Sequence, residues 1–184
     1  MTKLFLSLHV LAAVLAIGPV TVAASMFPAA LRRATGASAA GAPADRDALA
    51  NLRLLHRVCR VYAAVGTAVP VLGFATASSL GVLGSGWLIV SIVLTTAAAA
   101  VLALLILPGQ DAALTTLQEQ EQEQEQEQEQ EQEQEHGPQQ GSDSGPRPGA
   151  RSAARLAMLT GVFNLLWATV TVLMIIRPGS TTGA

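Results

Sequence analysis

Four long runs of the chain contain no Asp, Glu, Lys or Arg, and polar segments separate them. The runs extend over Leu4 to Met26, Val61 to Leu83, Trp87 to Leu107 and Leu156 to Ile176. At about 1.5 Å per residue each reaches roughly 31 to 35 Å as a helix, which matches a bilayer core of about 30 Å. Because lipid offers no hydrogen bonds to the backbone, the pattern predicts an all-α, polytopic membrane protein, a four-transmembrane-helix bundle.

Basic residues are distributed unevenly among the polar segments. Nine of the eleven Lys and Arg residues lie between spans one and two or between spans three and four, and only Lys3 and Arg177 lie outside. Lys and Arg in short loops stay on the cytoplasmic side during insertion, so both termini are expected to face away from the cytoplasm.

A cleaved secretory signal is the alternative interpretation of the N-terminus. Lys3, the apolar run after it and the small residues from Val22 to Ser25 fit such a signal. Cleavage would leave three spans and export a segment that carries six arginines, against the charge rule. A retained first span is therefore favoured.

The spans divide the chain into three regions. Residues 1–107 hold spans one to three and a basic cytoplasmic loop at 27–60, and residues 108–155 hold a cytoplasmic low-complexity repeat with a flexible linker. Residues 156–184 hold span four and a short tail. Spans two and three are predicted to pair antiparallel through the short turn Gly84-Ser85-Gly86.

Composition fits this picture, with 51% hydrophobic and 13% charged residues, but the repeat from Gln118 to Glu135 distorts the charge. Its nine Gln-Glu pairs hold nine of the thirteen acidic residues, so without them the net charge changes from −2 to +7. A period of two crowds Glu against Glu in a helix or a strand, and it cannot build a core. We expect a solvated helix that starts after a break at Pro108-Gly109, then a flexible linker over Gly137 to Gly149. A weak cation-binding or partner-docking tail is the functional alternative.

Four arginines just before span two are spaced so that they share one face of a helix. They are Arg46, Arg53, Arg57 and Arg60. Contact with lipid phosphates is the functional interpretation, and simple anchoring of the topology explains the same residues.

Small residues recur at spacings of three and four within the spans, a pattern that lets transmembrane helices approach closely. Pro19 and Pro70 each lack a backbone donor, so both are expected to kink their helices. Asn164, the amide near the middle of span four, is expected to fix the register of the bundle. The predicted packing positions are Gly66, Pro70 and Gly73 in span two and Gly161 and Asn164 in span four.

His9 is the ionisable side chain inside a span, apart from the interfacial Tyr62, and such residues are functional candidates by default. It lies roughly 8 Å below the outer boundary. Hydroxyl groups at the same depth would complete an outer polar layer in which His9 binds a proton, a metal or a haem iron. A neutral imidazole bonded to one of these hydroxyls is the alternative. The hydroxyls belong to Ser78, Ser79, Ser91 and Thr171.

The segment Ser7 to Ala13, SLHVLAA, followed by Gly18, resembles the start of uncharacterised bacterial four-span integral membrane proteins, a domain-of-unknown-function family. More distantly it resembles the membrane domain of copper-resistance D proteins, in which a Leu-His pair opens a span and a glycine follows. The resemblance implies four spans and a bacterial inner membrane.

No Cys-x-x-Cys, His-Glu-x-x-His, Ser-centred elbow or phosphate-binding glycine loop occurs, so catalysis is not expected. The predicted function is that of a non-enzymatic membrane component, either a small permeation module or an accessory subunit. Its expected partners are the lipid bilayer and another membrane protein or a second copy, with no nucleic acid and no cofactor. The alternative is a redox membrane protein that holds haem or copper on His9.

Overall fold

The computed structural model describes residues 2–39, 46–133 and 148–178, and the regular structure of these residues is helical. Four helices within them are long and apolar enough to cross a membrane: Lys3–Gly36, Asp47–Leu80, Gly86–Glu123 and Ala150–Ile176. The predicted all-helical fold with four such helices is confirmed. In finer division the elements are α1 (Thr2–Ala39), α2 (Arg46–Gly66), α3 (Ala68–Leu80), α4 (Gly86–Val101), a π-helical turn (Leu102–Ile106), α5 (Leu107–Glu133) and α6 (Pro148–Ile176).

The helices continue past the predicted spans at the end that carries the arginines. Residues 27–39 and 46–60 belong to α1 and α2, so the expected loop at 27–60 is helical over these two stretches. Phe27 and Leu31 of α1 and Leu52 of α2 are buried in one apolar core, while Arg53 is exposed. Apolar residues at helical spacing therefore extend the bundle beyond the membrane-length runs.

The helix α1 is central to the bundle. It packs extensively against α2, α3 and α6, and α4 packs against α6. Its buried Ala16, Ala23 and Ala24 allow this, because small side chains let neighbouring backbones approach on more than one side.

The predicted antiparallel pairing of spans two and three is wrong over most of their length. α3 and α4 are adjacent in sequence but hardly touch, and α2 packs instead against α5, which begins where predicted span three ends. α3 also ends earlier than predicted, because Gly81 takes the left-handed conformation with φ 68° and the Val82 N–H bonds the Ala77 carbonyl. α1 lies against α3, and α6 lies against α4, which keeps the two apart.

Span two is interrupted at Thr67, close to Pro70. The Thr67 N–H and hydroxyl both bond the Ala64 carbonyl, at 3.2 and 2.7 Å. The carbonyl of Gly66 has no α-helical donor because residue 70 is a proline. The interruption lies where Pro70 was expected to disturb the helix, whereas α1 continues through Pro19 without a break.

Pro28, inside α1, removes the helical donor of the Ala24 carbonyl. The Thr160 hydroxyl of α6 donates to this carbonyl at 3.4 Å, and both residues are buried. A proline defect in the first helix is thus matched by a hydroxyl from the last helix.

The expected break at Pro108-Gly109 is absent. The N–H of Leu107 bonds the Leu102 carbonyl, and this π-helical turn lets α4 continue into α5 although Pro108 has no N–H. Gly109 brings α6 close, since a Cβ there would lie 3.0 Å from Cδ2 of Leu156. The Gln-Glu repeat is helical as far as Glu133, and residues 134–147 lie outside the described residues.

Candidate functional site

His9 lies between α1 and α3. Its Nδ1 is 3.0 Å from the carbonyl oxygen of Val69. Because a carbonyl only accepts, Nδ1 carries the hydrogen, and in the neutral ring Nε2 presents a lone pair. The imidazole is therefore fixed in one tautomer by the backbone of a neighbouring helix.

Gly73 provides the space that the imidazole occupies. A Cβ on Gly73 would lie 2.8 Å from Cε1 and 3.2 Å from Nδ1 of His9, closer than van der Waals contact permits. The glycine at this predicted packing position is needed because a histidine of another helix lies over it.

Replacing Gly73 with Ala is expected to displace the His9 ring and break its hydrogen bond to Val69, which costs about 1 kcal/mol of folding free energy. In a His9→Ala background the added methyl group has room, so the same substitution should cost much less. Unfolding of the four proteins in mild detergent gives the coupling energy. Equal costs in both backgrounds would contradict the contact.

The hydroxyl groups expected to form a layer with His9 do not converge on it. Ser91 is buried and bonds the Trp87 carbonyl at 2.8 Å, while Ser79 bonds the Thr76 carbonyl at 2.8 Å. Thr171 bonds the Trp167 carbonyl at 2.9 Å, and Ser78 is exposed. The hydrogen bond of His9 goes instead to a backbone carbonyl.

A cavity of about 180 Å³ lies among α1, the α2–α3 interruption, α4 and α6. Gly66, Thr67 and Pro70 line one side, and Ala99 of α4 and Trp167 of α6 line others. No charged side chain lines it among the described residues. The cavity thus occupies the gap between spans two and three, where α3 and α4 fail to pack.

The indole of Trp167 contributes a polar atom without a partner. Its Nε1 is buried and has no hydrogen-bond acceptor among the described residues. Oδ1 of Asn164 is also buried, and no described residue donates a hydrogen bond to it. Asn164 Nδ2 donates to Oγ of Ser25 at 3.2 Å, which ties α6 to α1. Phe163 meets the Trp167 ring edge to face, with centroids 6.3 Å apart.

Gly161 does not lie at a close helix contact. It is exposed, and a Cβ there would meet no atom within 4 Å. The face of α6 that packs inward carries Leu156, Thr160 and Phe163 instead. Of the two packing positions predicted in span four, Asn164 therefore contacts α1 and Gly161 contacts no other helix.

A buried polar cluster at the end of the bundle that carries the arginines has no counterpart in the sequence-based prediction. Nδ1 of His56 donates to Oε1 of Gln110 at 3.1 Å, and Nε2 of Gln110 contacts Sγ of Cys59 at 3.7 Å. Nε2 of His56 lies 3.7 Å from Oδ1 of Asp111. Gln110 follows the π-helical turn and is only 1% exposed, so the cluster connects α2 to α5.

The part of the chain that the structure describes contains no metal site built from several side chains. No group of three His, Cys, Asp or Glu side chains there could hold an ion. Any iron or copper on His9 would therefore need its other ligands from a porphyrin, from solvent or from another chain.

Three of the four arginines that precede span two are described with their side chains. Arg53, Arg57 and Arg60 are exposed along α2, whereas the side chain of Arg46 lies outside the described atoms. At the other end of the bundle the guanidinium of Arg177 lies 5.7 Å from the ring centroid of Trp87. Trp residues are typical of the membrane interface.

Comparison of the chain with known protein families, with curated proteins and with solved structures gives no match. The resemblance of the His9 segment to four-span bacterial proteins stays a prediction.

Proposed function

We propose that the protein is a non-enzymatic component of a bacterial inner membrane that binds one small lipid-soluble molecule, as a permeation module or accessory subunit. The observation that carries the proposal is the cavity beside the interruption at Thr67. Discontinuous transmembrane helices typically border the binding sites of transport proteins, because backbone groups freed from the helix line a protected space.

Entry into the cavity is provided by the packing of the spans. α3 and α4 border it and hardly touch each other, and Val71 and Phe74 on α3 are exposed. In a bilayer these side chains contact lipid, so a lipid-soluble molecule reaches the cavity between the two helices without crossing water.

The surface of the bundle supports the membrane part of the proposal. Large apolar side chains such as Val14, Leu104 and Ile175 are exposed, the last by 76%. Water would disfavour such a surface, whereas lipid or a partner membrane protein covers it. The exposed arginines of α2 favour a cytoplasmic position for their end of the bundle by the charge rule, with both termini on the opposite side.

The test is the binding of toluene to the protein in lipid nanodiscs, read from the unfolding temperature. A ligand that binds only the folded state raises this temperature, and the shift grows with the ratio of ligand concentration to Kd. Gly66→Leu, which fills the cavity wall, is expected to abolish the shift. Gly161→Leu places the same side chain on an exposed face and should retain it. Equal shifts in all three proteins would show partition into lipid only and refute the proposal.

A second candidate function, a redox protein with haem or copper on His9, is favoured by one observation. The Nδ1–H of His9 is held by a backbone carbonyl, the arrangement that orients histidine ligands and leaves Nε2 for a metal. Protein purified in mild detergent should then show haem absorbance or bound copper that His9→Ala removes. Absence of both from the unsubstituted protein, purified from cells supplied with iron and copper, would reject this function.

A further inference from the structure

One residue of the apolar cavity wall, Trp167, carries an unsatisfied hydrogen-bond donor. Leaving a buried N–H without an acceptor costs free energy, and more so where lipid replaces water. Nε1 of Trp167 is such a group, and Trp167 lines the cavity. An acceptor atom supplied by a ligand would remove this cost.

We propose that the cavity binds an uncharged, ring-sized molecule whose carbonyl or ether oxygen accepts a hydrogen bond from the indole N–H of Trp167. The inference rests on the proposed ligand-binding function and adds the chemical class of the ligand. A cavity of about 150 Å³ in another protein holds benzene, so the 180 Å³ found here suffices for one substituted ring.

The residues that line the cavity disfavour a charged ligand. They are apolar or neutral, with the hydroxyls of Tyr62, Thr67 and Thr95 as the polar groups besides the indole. An ion would lose its hydration without gaining a counter-charge, which is far more costly than the loss of one hydrogen bond. A neutral molecule with one hydrogen-bond acceptor fits these lining residues best.

A hydrogen bond between Trp167 and the neighbouring Asn164 is the alternative to a bond between Trp167 and a ligand. Oδ1 of Asn164 is also buried and unpaired, and the residue lies three positions before Trp167 on the same helix, a spacing at which side chains meet. A rotation of the amide could pair the two groups and leave no donor for a ligand. The experiment must separate these cases.

Acetophenone and cumene form a matched pair of probes, since one carries a carbonyl oxygen where the other carries a methyl group. The protein is labelled with ¹⁵N-tryptophan and carries Trp87→Phe, so that the remaining indole N–H resonance belongs to Trp167. Nε1 is covered in the structure, so binding turns the ring toward the cavity and alters its contact with Phe163.

In nanodiscs, acetophenone is expected to move the indole proton downfield in a saturable manner and to bind about fivefold more tightly than cumene. Trp167→Phe should abolish the preference, and Gly66→Leu should abolish the binding of both probes. The resonance of native Trp167 decides the matter even if Trp167→Phe fails to fold.

Three outcomes would overturn the inference. Equal binding of both probes without a downfield shift would leave the proposed function standing and remove the ligand class. Failure of both probes to bind would remove the function as well. An indole resonance that is already downfield without ligand, and moves upfield in Asn164→Leu, would show that Trp167 pairs with Asn164.

Discussion

Replacement of Phe27 with Ala is expected to lower the free energy of unfolding by about 3 to 5 kcal/mol, the largest effect of any single substitution considered. Phe27 is fully buried in the half of α1 that carries Arg32 and Arg33, where the core joins α1 to α2, α5 and α6. Truncation removes a large apolar side chain and leaves a cavity that helices held on several sides cannot collapse to fill.

Denaturant titration in mild detergent, followed by circular dichroism, measures this loss. Met26→Ala is the matched control, because the preceding side chain is 53% exposed and its truncation should change the unfolding free energy little. Similar losses for both variants would mean that the buried side chain of Phe27 contributes no more to the unfolding free energy than the exposed side chain of Met26.

Gln110→Ala is expected to lower the unfolding free energy by about 2 to 3 kcal/mol. The substitution leaves Nδ1–H of His56 without its acceptor in a buried site and removes the contact with Cys59. Asp111→Ala, one residue further on, is the control. Its side chain is 73% exposed, so its contact with His56 should contribute less than about 1 kcal/mol.

A double variant with His56→Leu and Gln110→Leu tests the cause. Replacing both partners of a buried hydrogen bond with apolar side chains removes the unsatisfied donor, so much of the lost stability should return. A double variant less stable than Gln110→Ala would show that packing volume, and not the hydrogen bond, dominates at this site.

The four spans could be predicted because each is a long run of consecutive apolar residues that is visible in the sequence itself. The packing face of α6 could not be predicted in this way. Without a hydrophobic force between helices in lipid, small residues mark only a possible interface, and no helix packs closely on Gly161. Leu156 and Phe163, which do pack, look like any lipid-facing side chains in the sequence.

His9 could be selected from sequence because a titratable group inside an apolar run is rare. Its partner could not, since every residue carries a carbonyl and nothing in the side-chain pattern distinguishes that of Val69. The cluster around Gln110 escaped prediction for another reason. Pro108-Gly109 is typical of a helix end, and the π-helical turn before it carries the helix on and brings Gln110 against α2.

The hydrogen bond from the Thr160 hydroxyl to the Ala24 carbonyl can form only late in synthesis of the chain. The two residues are 136 positions apart, so α1 leaves the ribosome long before its partner exists. During that interval the carbonyl of Ala24 lacks a helical donor, because Pro28 has no N–H. The last helix supplies the missing donor, so a chain that ends before Thr160 lacks it.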